Sequence, residues 1–265
     1  MSAAESAGML ADKVVVVSGV GPGLGRAIAL RCAGQGADVV LAARTAQRLE
    51  DVAGEVRGTG RRALAVPTDI TDADSAATLR DAAIGEFGGV DALVNNAFAI
   101  PQRRAFAETD FQHMRDAIEL TVFGALRLSQ LFTDALAEAK GSVVNINSMV
   151  LRHSQPRYGP YKLAKSALLS MSESLATELG PQGVRVNSVA PGYIWGPTLQ
   201  GYFEHKAPQY GITAQEMYEY TAANTDLRRL PEPDQIADAV VFFASPMAAA
   251  ITGQCLDVNS GEYHH

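Results

Sequence analysis

Short apolar runs alternate with longer helical patterns along nearly the whole chain, and this alternation is what most limits the possible folds. The runs are rich in valine and lack the polar alternation of strands with one wet face, as expected for strands buried on both faces of a parallel sheet. Seven runs are predicted as strands: Lys13–Ser18, Asp38–Ala43, Arg62–Pro67, Val90–Asn95, Ser142–Asn147, Val184–Ala190 and Gln254–Val258. Strands that alternate with helices predict a doubly wound α/β sheet with right-handed crossovers.

Helical spacing fills the segments between these runs. Apolar residues three and four apart predict one long helix over Phe111–Ala137 and another over Tyr161–Leu179. The sequence contains no internal repeat, linker or low-complexity segment. We therefore expect one domain over residues 1–265.

The segment from Pro191 to Leu230 breaks the alternation. It contains the only tryptophan and five of the eight tyrosines, together with several prolines and glycines. Ligands of open α/β sheets sit outside the carboxyl ends of the strands, so an aromatic insertion after the sixth strand is a candidate substrate lid. A satellite core or a subunit contact is the alternative.

Composition and charge exclude several classes of protein. The 265 residues carry a net charge of −7, which offers no excess positive field to attract nucleic acid or anionic lipid. No run of about 18 apolar residues is present, and Met1–Asp12 lacks the pattern of a secretory signal. Cys32 and Cys255 are too few for a disulfide framework or a zinc site, and no acidic or histidine spacing suggests another metal. We expect a cytoplasmic protein without a metal, a nucleic-acid partner or a membrane.

A glycine-rich turn joins the first strand to the following helix. Its spacing, from Gly19 to Gly23 and Gly25, differs from the commoner G-x-G-x-x-G fingerprint. Glycines at such a turn let the backbone approach a pyrophosphate, and the helix that starts near Leu24 presents free N–H groups to the phosphates. The turn predicts a nucleotide site on a Rossmann-like sheet of about seven strands.

The end of the second strand selects between the two nicotinamide dinucleotides. An acid there would hold the ribose hydroxyls of NAD, whereas an arginine accommodates the 2′-phosphate of NADP. Ala43 and Arg44 occupy this position. The sequence therefore favours NADP(H), with NAD(H) as the alternative.

Later in the chain, the residues Ser148, Tyr161 and Lys165 indicate a catalytic site. Tyr161 and Lys165 are four apart, and Pro160 suits the first turn of a helix, so both side chains should lie on one helix face. Ser148 follows the predicted fifth strand and should lie at the same edge of the sheet as the nucleotide site. A serine, tyrosine and lysine so placed form a candidate catalytic set.

These features together resemble the classical short-chain dehydrogenase/reductase family from Lys13 to Gly261. The matching elements are Gly19, Gly23, Gly25, Asp69-Ile70, Asn95-Asn96-Ala97, Ser148, Tyr161, Lys165, Pro191-Gly192 and Gly253. Beyond the turn and Arg44, the resemblance implies cofactor contacts from Asp69, Ile70, Asn95, Ala97, Tyr161, Lys165, Pro191, Gly192 and Ile194. It also implies a homo-oligomer, a tetramer or a dimer.

The resemblance assigns the protein to the enzymes that move a hydride to or from a nicotinamide cofactor. Tyr161 is then the acid/base that gives a proton to the substrate oxygen or takes one from it. A free tyrosine titrates near about 10, and the ammonium of Lys165 would favour its phenolate. Ser148 would hydrogen-bond the substrate oxygen.

The chain departs from the family pattern at three places. Phe98 stands where the family usually has glycine after Asn95-Asn96-Ala97, and the segment after Gly192 is longer than usual. Thr121, three residues before Gly124, replaces the usual catalytic asparagine. In addition, Pro22 stands in the glycine turn where many NADP-preferring relatives carry a second basic residue, which predicts a moderate preference for NADP(H).

The aromatic residues suggest a wide apolar pocket, and we expect a hydrophobic secondary alcohol or ketone, such as a steroid or terpenoid, as the substrate. The candidate substrate contacts are Phe98, Ser148, Met149, Tyr161, Tyr193 and Trp195. Two alternatives remain: an enoyl reductase, and a non-catalytic cofactor-sensing or interaction protein on the same scaffold. Thr121 favours the second of these, whereas the intact serine, tyrosine and lysine favour the enzyme.

Overall fold

The computed structural model describes residues 8–99 and 104–264, and these residues form one seven-stranded parallel sheet. The strands are β1 Val14–Ser18, β2 Asp38–Ala43, β3 Ala63–Pro67, β4 Ala92–Asn95, β5 Ser142–Ile146, β6 Arg185–Pro191 and β7 Cys255–Val258. All seven predicted strands are present, with bounds that differ from the prediction by at most two residues. Their order is β3-β2-β1-β4-β5-β6-β7, which confirms the doubly wound topology.

Helices cover both faces of the sheet. They are α1 Leu24–Gly34, α2 Ala46–Gly58, α3 Ala73–Phe87, α4 Phe111–Ile118, α5 Gly124–Leu131, α6 Thr133–Ala139, α7 Gly159–Leu179, α8 Pro197–Lys206, α9 Ala214–Ala222 and α10 Pro233–Ala244. Alternate residues of the strands point to opposite faces. Val15 and Val17 therefore pack with α1, α2 and α10, whereas Val14 and Val16 pack with α3, α5, α6 and α7. The five inner strands are buried on both faces, as their apolar sequences predicted, whereas the edge strands β3 and β7 are only partly buried.

The prediction of one uninterrupted helix over Phe111–Ala137 was wrong. A π-helical segment, Glu119–Phe123, separates α4 from α5, and α5 ends at Leu131. The Gly124 N–H donates to the carbonyl of Glu119, five residues back, which widens this turn. A Cβ at position 124 would lie 2.7 Å from Cδ1 of Ile70, so glycine lets the helix approach the β3–α3 connection. One extra residue in a single turn leaves the three-and-four apolar spacing nearly unchanged, and the periodicity therefore did not reveal it.

The aromatic insertion forms a small core of its own. Phe203 in α8, Ala222 in α9 and Leu230 are buried together, and Trp195 packs against them. The Trp195 ring centroid lies 4.5 Å from that of Tyr218 and 5.7 Å from that of Phe203. Helices α8 and α9 thus share a satellite cluster outside the two main cores.

Residues 8–99 and 104–264 include no helix long and apolar enough to cross a membrane. Of the N-terminal segment Met1–Asp12, residues 1–7 lie outside the described part of the chain. The same holds for residues 100–103 and His265.

Candidate active site

A cavity of about 730 Å³ opens at the carboxyl ends of β1 to β4. This is where doubly wound sheets bind ligands, and the volume lies within the range of small-molecule sites. Of the residues predicted to bind cofactor or substrate, six line the cavity: Gly19, Arg44, Asp69, Ile70, Ala97 and Phe98. The glycine turn, the end of β2 and the β3 and β4 connections therefore meet as predicted.

The glycine turn leaves the room that a dinucleotide backbone needs. Gly19 has a φ of +83°, and a Cβ on it would lie 2.4 Å from the backbone nitrogen of Ala97. Gly21 and Gly23 face open space, since a Cβ on either would meet nothing within 4 Å. Leu24 and Gly25 begin α1 directly after Gly23, and the first turn of that helix has no acidic residue. An uncrowded helix N-terminus without an acidic residue fits the pyrophosphate of a dinucleotide.

Two arginines line the cavity, Arg44 and Arg48, whereas only Arg44 was predicted from the sequence. Thr45 precedes α2, which places Arg44 just before the helix and Arg48 one turn into it. Hydrogen bonds from Thr71 hold the pKa of Asp69 below its usual value, and the charge of Arg44 adds to this effect. Arg44 precedes the helix, so helical spacing does not pair it with Arg48, and the two arginines meet only at the wall of the cavity.

The two asparagines after β4 have different surroundings. Asn95 is buried, and its Nδ2 donates to Oδ1 of Asn145 in β5 at 3.0 Å, so its side chain braces the sheet and does not line the cavity. Asn96 lines the cavity and donates from Nδ2 to the carbonyl of Gly19 at 2.7 Å. Asn96 therefore supports the glycine turn, a role the sequence did not assign.

The candidate catalytic residues lie on β5 and α7. Ser148 follows β5 and caps a short 3₁₀ turn, Met149–Leu151, where its Oγ accepts from the N–H of Val150 at 3.3 Å. Tyr161 and Lys165 lie one turn apart near the start of α7, with Lys165 Nζ 6.0 Å from the centroid of the Tyr161 ring. The same Nζ donates to the carbonyl of Ile146, two residues before Ser148, at 2.7 Å. This bond ties the start of α7 to the end of β5.

Lys165 is a buried base. Its side chain is only 2% exposed, and burial lowers its pKa to about 7. The Phe98 ring approaches it from the β4 side, with the ring centroid 5.1 Å from Nζ. The ring centroids of Phe98 and Tyr161 are 6.5 Å apart. Phe98, Tyr161 and Lys165 thus form one cluster.

Thr121 lies in the π-helical segment and is 1% exposed. Its Oγ1 accepts from the backbone N–H of Ala99, the residue after Phe98, at 3.4 Å. Single π turns occur frequently at functional sites. Two of the departures from the family pattern, Phe98 and Thr121, are therefore neighbours in the fold.

The remaining predicted residues lie beyond the wall of the cavity. Pro191 ends β6, and the Gly192 N–H donates to the carbonyl of Val258 in β7 at 3.1 Å. Met149 is buried, Ile194 packs against the core on the α1 side, and Tyr193 and Trp195 pack into the satellite cluster. Their roles in cofactor or substrate binding stay predictions. Within the described ranges, no group of three or more His, Cys, Asp or Glu side chains could hold a metal ion.

Comparison with known proteins identifies the family. The family model described as enoyl-(acyl carrier protein) reductase matches residues 19–263. Cis-4-hydroxycyclohexanecarboxylate dehydrogenase of Sinomonas cyclohexanicum is 34% identical over 252 residues, which span 95% of this chain and 96% of that protein. The chain belongs to the short-chain dehydrogenase/reductase family and is an oxidoreductase of that family.

Two solved structures have the same fold. A 7α-hydroxysteroid dehydrogenase, complexed with NADH and 7-oxo glycochenodeoxycholic acid, superimposes with a TM-score of 0.86 at 32% identity and covers 97% of each chain. A variant of actinorhodin polyketide ketoreductase, with NADPH, gives a TM-score of 0.88 at 28% identity and covers 96% of this chain and 98% of that one. One of these relatives holds NADH and the other NADPH, so the choice of cofactor depends on the residues of each site.

Proposed function

We propose that this protein interconverts a hydrophobic secondary alcohol and its ketone with NADP(H) as the preferred cofactor, and that Tyr161 is the acid/base. One observation carries the proposal: Tyr161 and Lys165 lie one helical turn apart on α7, beside the end of the strand that leads into Ser148. This cluster lies at the edge of the sheet that also forms the cavity.

The chain's own residues have to position the substrate and move one proton. The nicotinamide cofactor, when bound, supplies or accepts the hydride. During reduction the Tyr161 hydroxyl gives its proton to the substrate oxygen, and during oxidation the phenolate takes that proton back. The Ser148 hydroxyl donates a hydrogen bond to the same oxygen and fixes its direction.

Lys165 adjusts Tyr161 to neutral pH. A positive charge at Nζ stabilises the phenolate and lowers the pKa of the tyrosine. Because burial lowers the pKa of Lys165 to about 7, its ammonium persists below that pH and is lost above it. The bond from Nζ to Ile146 holds the amine near the tyrosine ring.

The preference for NADP(H) follows from Arg44 and Arg48. Both residues are solvent-exposed and border the cavity next to Ala43, which carries no charge to repel a phosphate. A guanidinium binds a phosphate through paired, charge-assisted hydrogen bonds. Two arginines at the cavity wall support a stronger preference for NADP(H) than Arg44 alone.

The substrate class follows from the apolar side chains near the cluster. Phe98 is 44% exposed beside Tyr161 and presents a ring toward the site. The segment 191–230 packs on its own satellite cluster, and we assign it the role of a substrate lid lined in part by Tyr193 and Trp195. The dehydrogenase from Sinomonas is named for a ring-bearing alcohol and the 7α-hydroxysteroid dehydrogenase structure holds a steroid ketone, and both support an alicyclic substrate.

The experiment that tests the proposal is a panel of alicyclic and steroid alcohols and ketones, with NADPH or NADP⁺ absorbance as the readout. An enoyl thioester is included because of the family model's description. Activity on a ketone or alcohol supports the proposal, activity on the enoyl thioester alone replaces it with an enoyl reductase, and cofactor binding without any turnover supports a cofactor-sensing protein.

The active substrate is then tested with Tyr161→Phe. This change keeps the ring and removes the proton, and we expect turnover to fall by about 10²–10⁴-fold while cofactor binding persists. Tyr158→Phe, a change of the tyrosine three residues earlier on the chain, is the matched control. Near wild-type turnover in the pure Tyr161→Phe protein would end the assignment of Tyr161.

A further inference from the structure

The Phe98 ring is the nearest aromatic face to the buried amine of Lys165. Its centroid lies 5.1 Å from Nζ, within the distance at which a cation interacts with an aromatic face, whereas the Tyr161 centroid lies at 6.0 Å. The Ile146 carbonyl accepts from the same Nζ. Burial is the one cause that shifts the pKa of Lys165, so no carboxylate of the described residues offsets it.

The backbone on both sides of Phe98 is held by contacts with neighbouring segments. The N–H of Ala99 donates to Oγ1 of Thr121, which is buried in the π-helical segment. Ala97 on the other side packs against the glycine turn, where a Cβ on Gly19 would meet it at 2.4 Å. Phe98 therefore projects from a short segment that is held at both ends.

We propose that Phe98 is a positioning residue that stabilises the ammonium of Lys165 through the face of its ring, and that Thr121 anchors the segment carrying it. The inference rests on the proposed function and adds to it an aromatic partner for the catalytic lysine. Among the described residues, the groups that face Nζ are Tyr161 on its own helix, the Ile146 carbonyl from β5 and the Phe98 ring from the β4 connection. Tyr161 is the titratable group among them.

Removal of the Phe98 ring should shift the pH profile of the reaction upward, because the ring stabilises the positive charge of Lys165. Without the ring the ammonium is less stable, so Lys165 loses its proton at a lower pH. The phenolate of Tyr161 then has less support, and the pH at which alcohol oxidation reaches half its maximum rate moves upward. A cation–aromatic contact at a buried site corresponds to about 2- to 30-fold in the protonation equilibrium, which sets an upper limit of about 0.3–1.5 pH units on the upward shift.

The test compares Phe98→Leu with Phe98→Trp. Leucine keeps an apolar side chain but has no aromatic face, whereas tryptophan keeps a face. We expect Phe98→Leu to shift the oxidation profile upward and to reduce turnover at pH 7 by about 3- to 10-fold, and Phe98→Trp to retain the wild-type profile. Phe98→Gly, the usual residue of the family, should resemble Phe98→Leu. Phe111→Leu, a change of an exposed phenylalanine on α4, is the control.

A second readout needs no turnover. The rate at which a small acylating reagent modifies Lys165 in the ligand-free protein, followed by peptide mass spectrometry, reports the pH at which the amine becomes neutral. This midpoint should be lower in Phe98→Leu than in the wild type. If Phe98→Leu changes only KM, with both midpoints unchanged, Phe98 is a wall of the substrate pocket and the inference is overturned. Activity of Tyr161→Phe would instead defeat the proposed function, while the labelling midpoint would still decide the role of Phe98.

Discussion

The two halves of the sheet's carboxyl edge hold positive charge in opposite ways. Beside β1 to β3, Arg44 and Arg48 are exposed to solvent at the wall of an open cavity. Beside β5, Lys165 is 2% exposed and its pKa is lowered to about 7 by burial. The guanidinium groups are in contact with water, whereas the buried amine changes its charge near neutrality.

The difference shows what each half is suited to do. Solvated charge costs little to maintain and attracts a phosphate, although salt screens it. Buried charge destabilises the fold, but it acts strongly on a neighbouring group because little water screens it. We therefore expect the arginine side to control which cofactor binds, and the lysine side to control the rate and its dependence on pH.

The largest effect is expected from Lys165→Met, which removes the buried charge with little change in side-chain volume. Turnover should fall by about 10²–10⁴-fold, since Tyr161 loses the positive charge proposed to stabilise its phenolate. The free energy of unfolding at pH 7 should rise by about 1–3 kcal/mol, because a buried amine destabilises the fold relative to an apolar side chain.

Urea denaturation at pH 7 and pH 9 checks the stability of Lys165→Met. The folded pKa of Lys165, about 7, lies below the usual 10.5, so the unfolded chain binds more protons between these values. Wild-type stability should therefore rise with pH across this window, and the variant should lack this contribution. A less stable variant, or one with the wild-type pH dependence, would contradict the account of the lysine side.

The arginine side is tested by replacing Arg44 and Arg48 with alanine. The dissociation constant for NADPH should rise by about 10- to 100-fold, and that for NADH should change little, because only NADPH carries the 2′-phosphate. Arg80→Ala, a change of an arginine on α3 outside the cavity, is the control. Fluorescence titration at two salt concentrations measures both constants, and the loss of NADPH affinity should be smaller at high salt.

A second pair of changes on the arginine side should reverse the preference between NADPH and NADH. The double change Ala43→Asp, Arg44→Ala adds an acceptor for the ribose hydroxyls and removes one guanidinium, so binding should shift toward NADH. If the wild type binds NADH more tightly than NADPH, or the double variant shows no shift, the preference for NADP(H) is wrong.

On the lysine side, Thr121 holds the segment that carries Phe98. Thr121→Asn should keep or raise turnover, because the amide oxygen can still accept from the Ala99 N–H and the amide can hold a relay water. Thr121→Val keeps the shape but loses the bond, and turnover should fall by about 2- to 10-fold. Steady-state kinetics measure the turnover of both variants and the wild type, on proteins whose thermal stability is matched. A severe loss in well-folded Thr121→Asn would mean that Thr121 is shaped to the substrate or the backbone.

The smallest effect is expected from a change of Glu262, and it concerns stability. Like Lys165, this residue is ionisable and its pKa is shifted by burial. Its Oε2 lies against Gly192, and burial raises the pKa of this carboxyl to about 7 from a usual 4.5. The folded state therefore binds more protons between these values, so stability should fall as the pH rises through that window. In Glu262→Gln the melting temperatures at pH 5 and pH 7.5 should differ less than in the wild type. An unchanged difference would show that Glu262 is not the group that titrates.

Much of the fold and part of the site could be predicted from the sequence. Apolar runs of a few residues located all seven strands, because most positions of these strands pack into a core and few are polar. The π turn at Glu119–Phe123 could not be predicted, since it depends on the approach of Gly124 to Ile70, far away along the chain. Arg48 was missed for a similar reason, because an arginine on a helix surface looks solvated until the cavity beside it is known.

By itself the sequence determined the sheet, the glycine turn and the spacing of Ser148, Tyr161 and Lys165, since these depend on local periodicity and on the order of the elements. Only the tertiary structure decided that the Phe98 ring faces Lys165 and that Thr121 holds the adjacent backbone. It also decided that Trp195 packs against Phe203 and Tyr218. The physical reason is that burial, which sets both the pKa of a lysine and the partners of a ring, depends on which distant segments pack together.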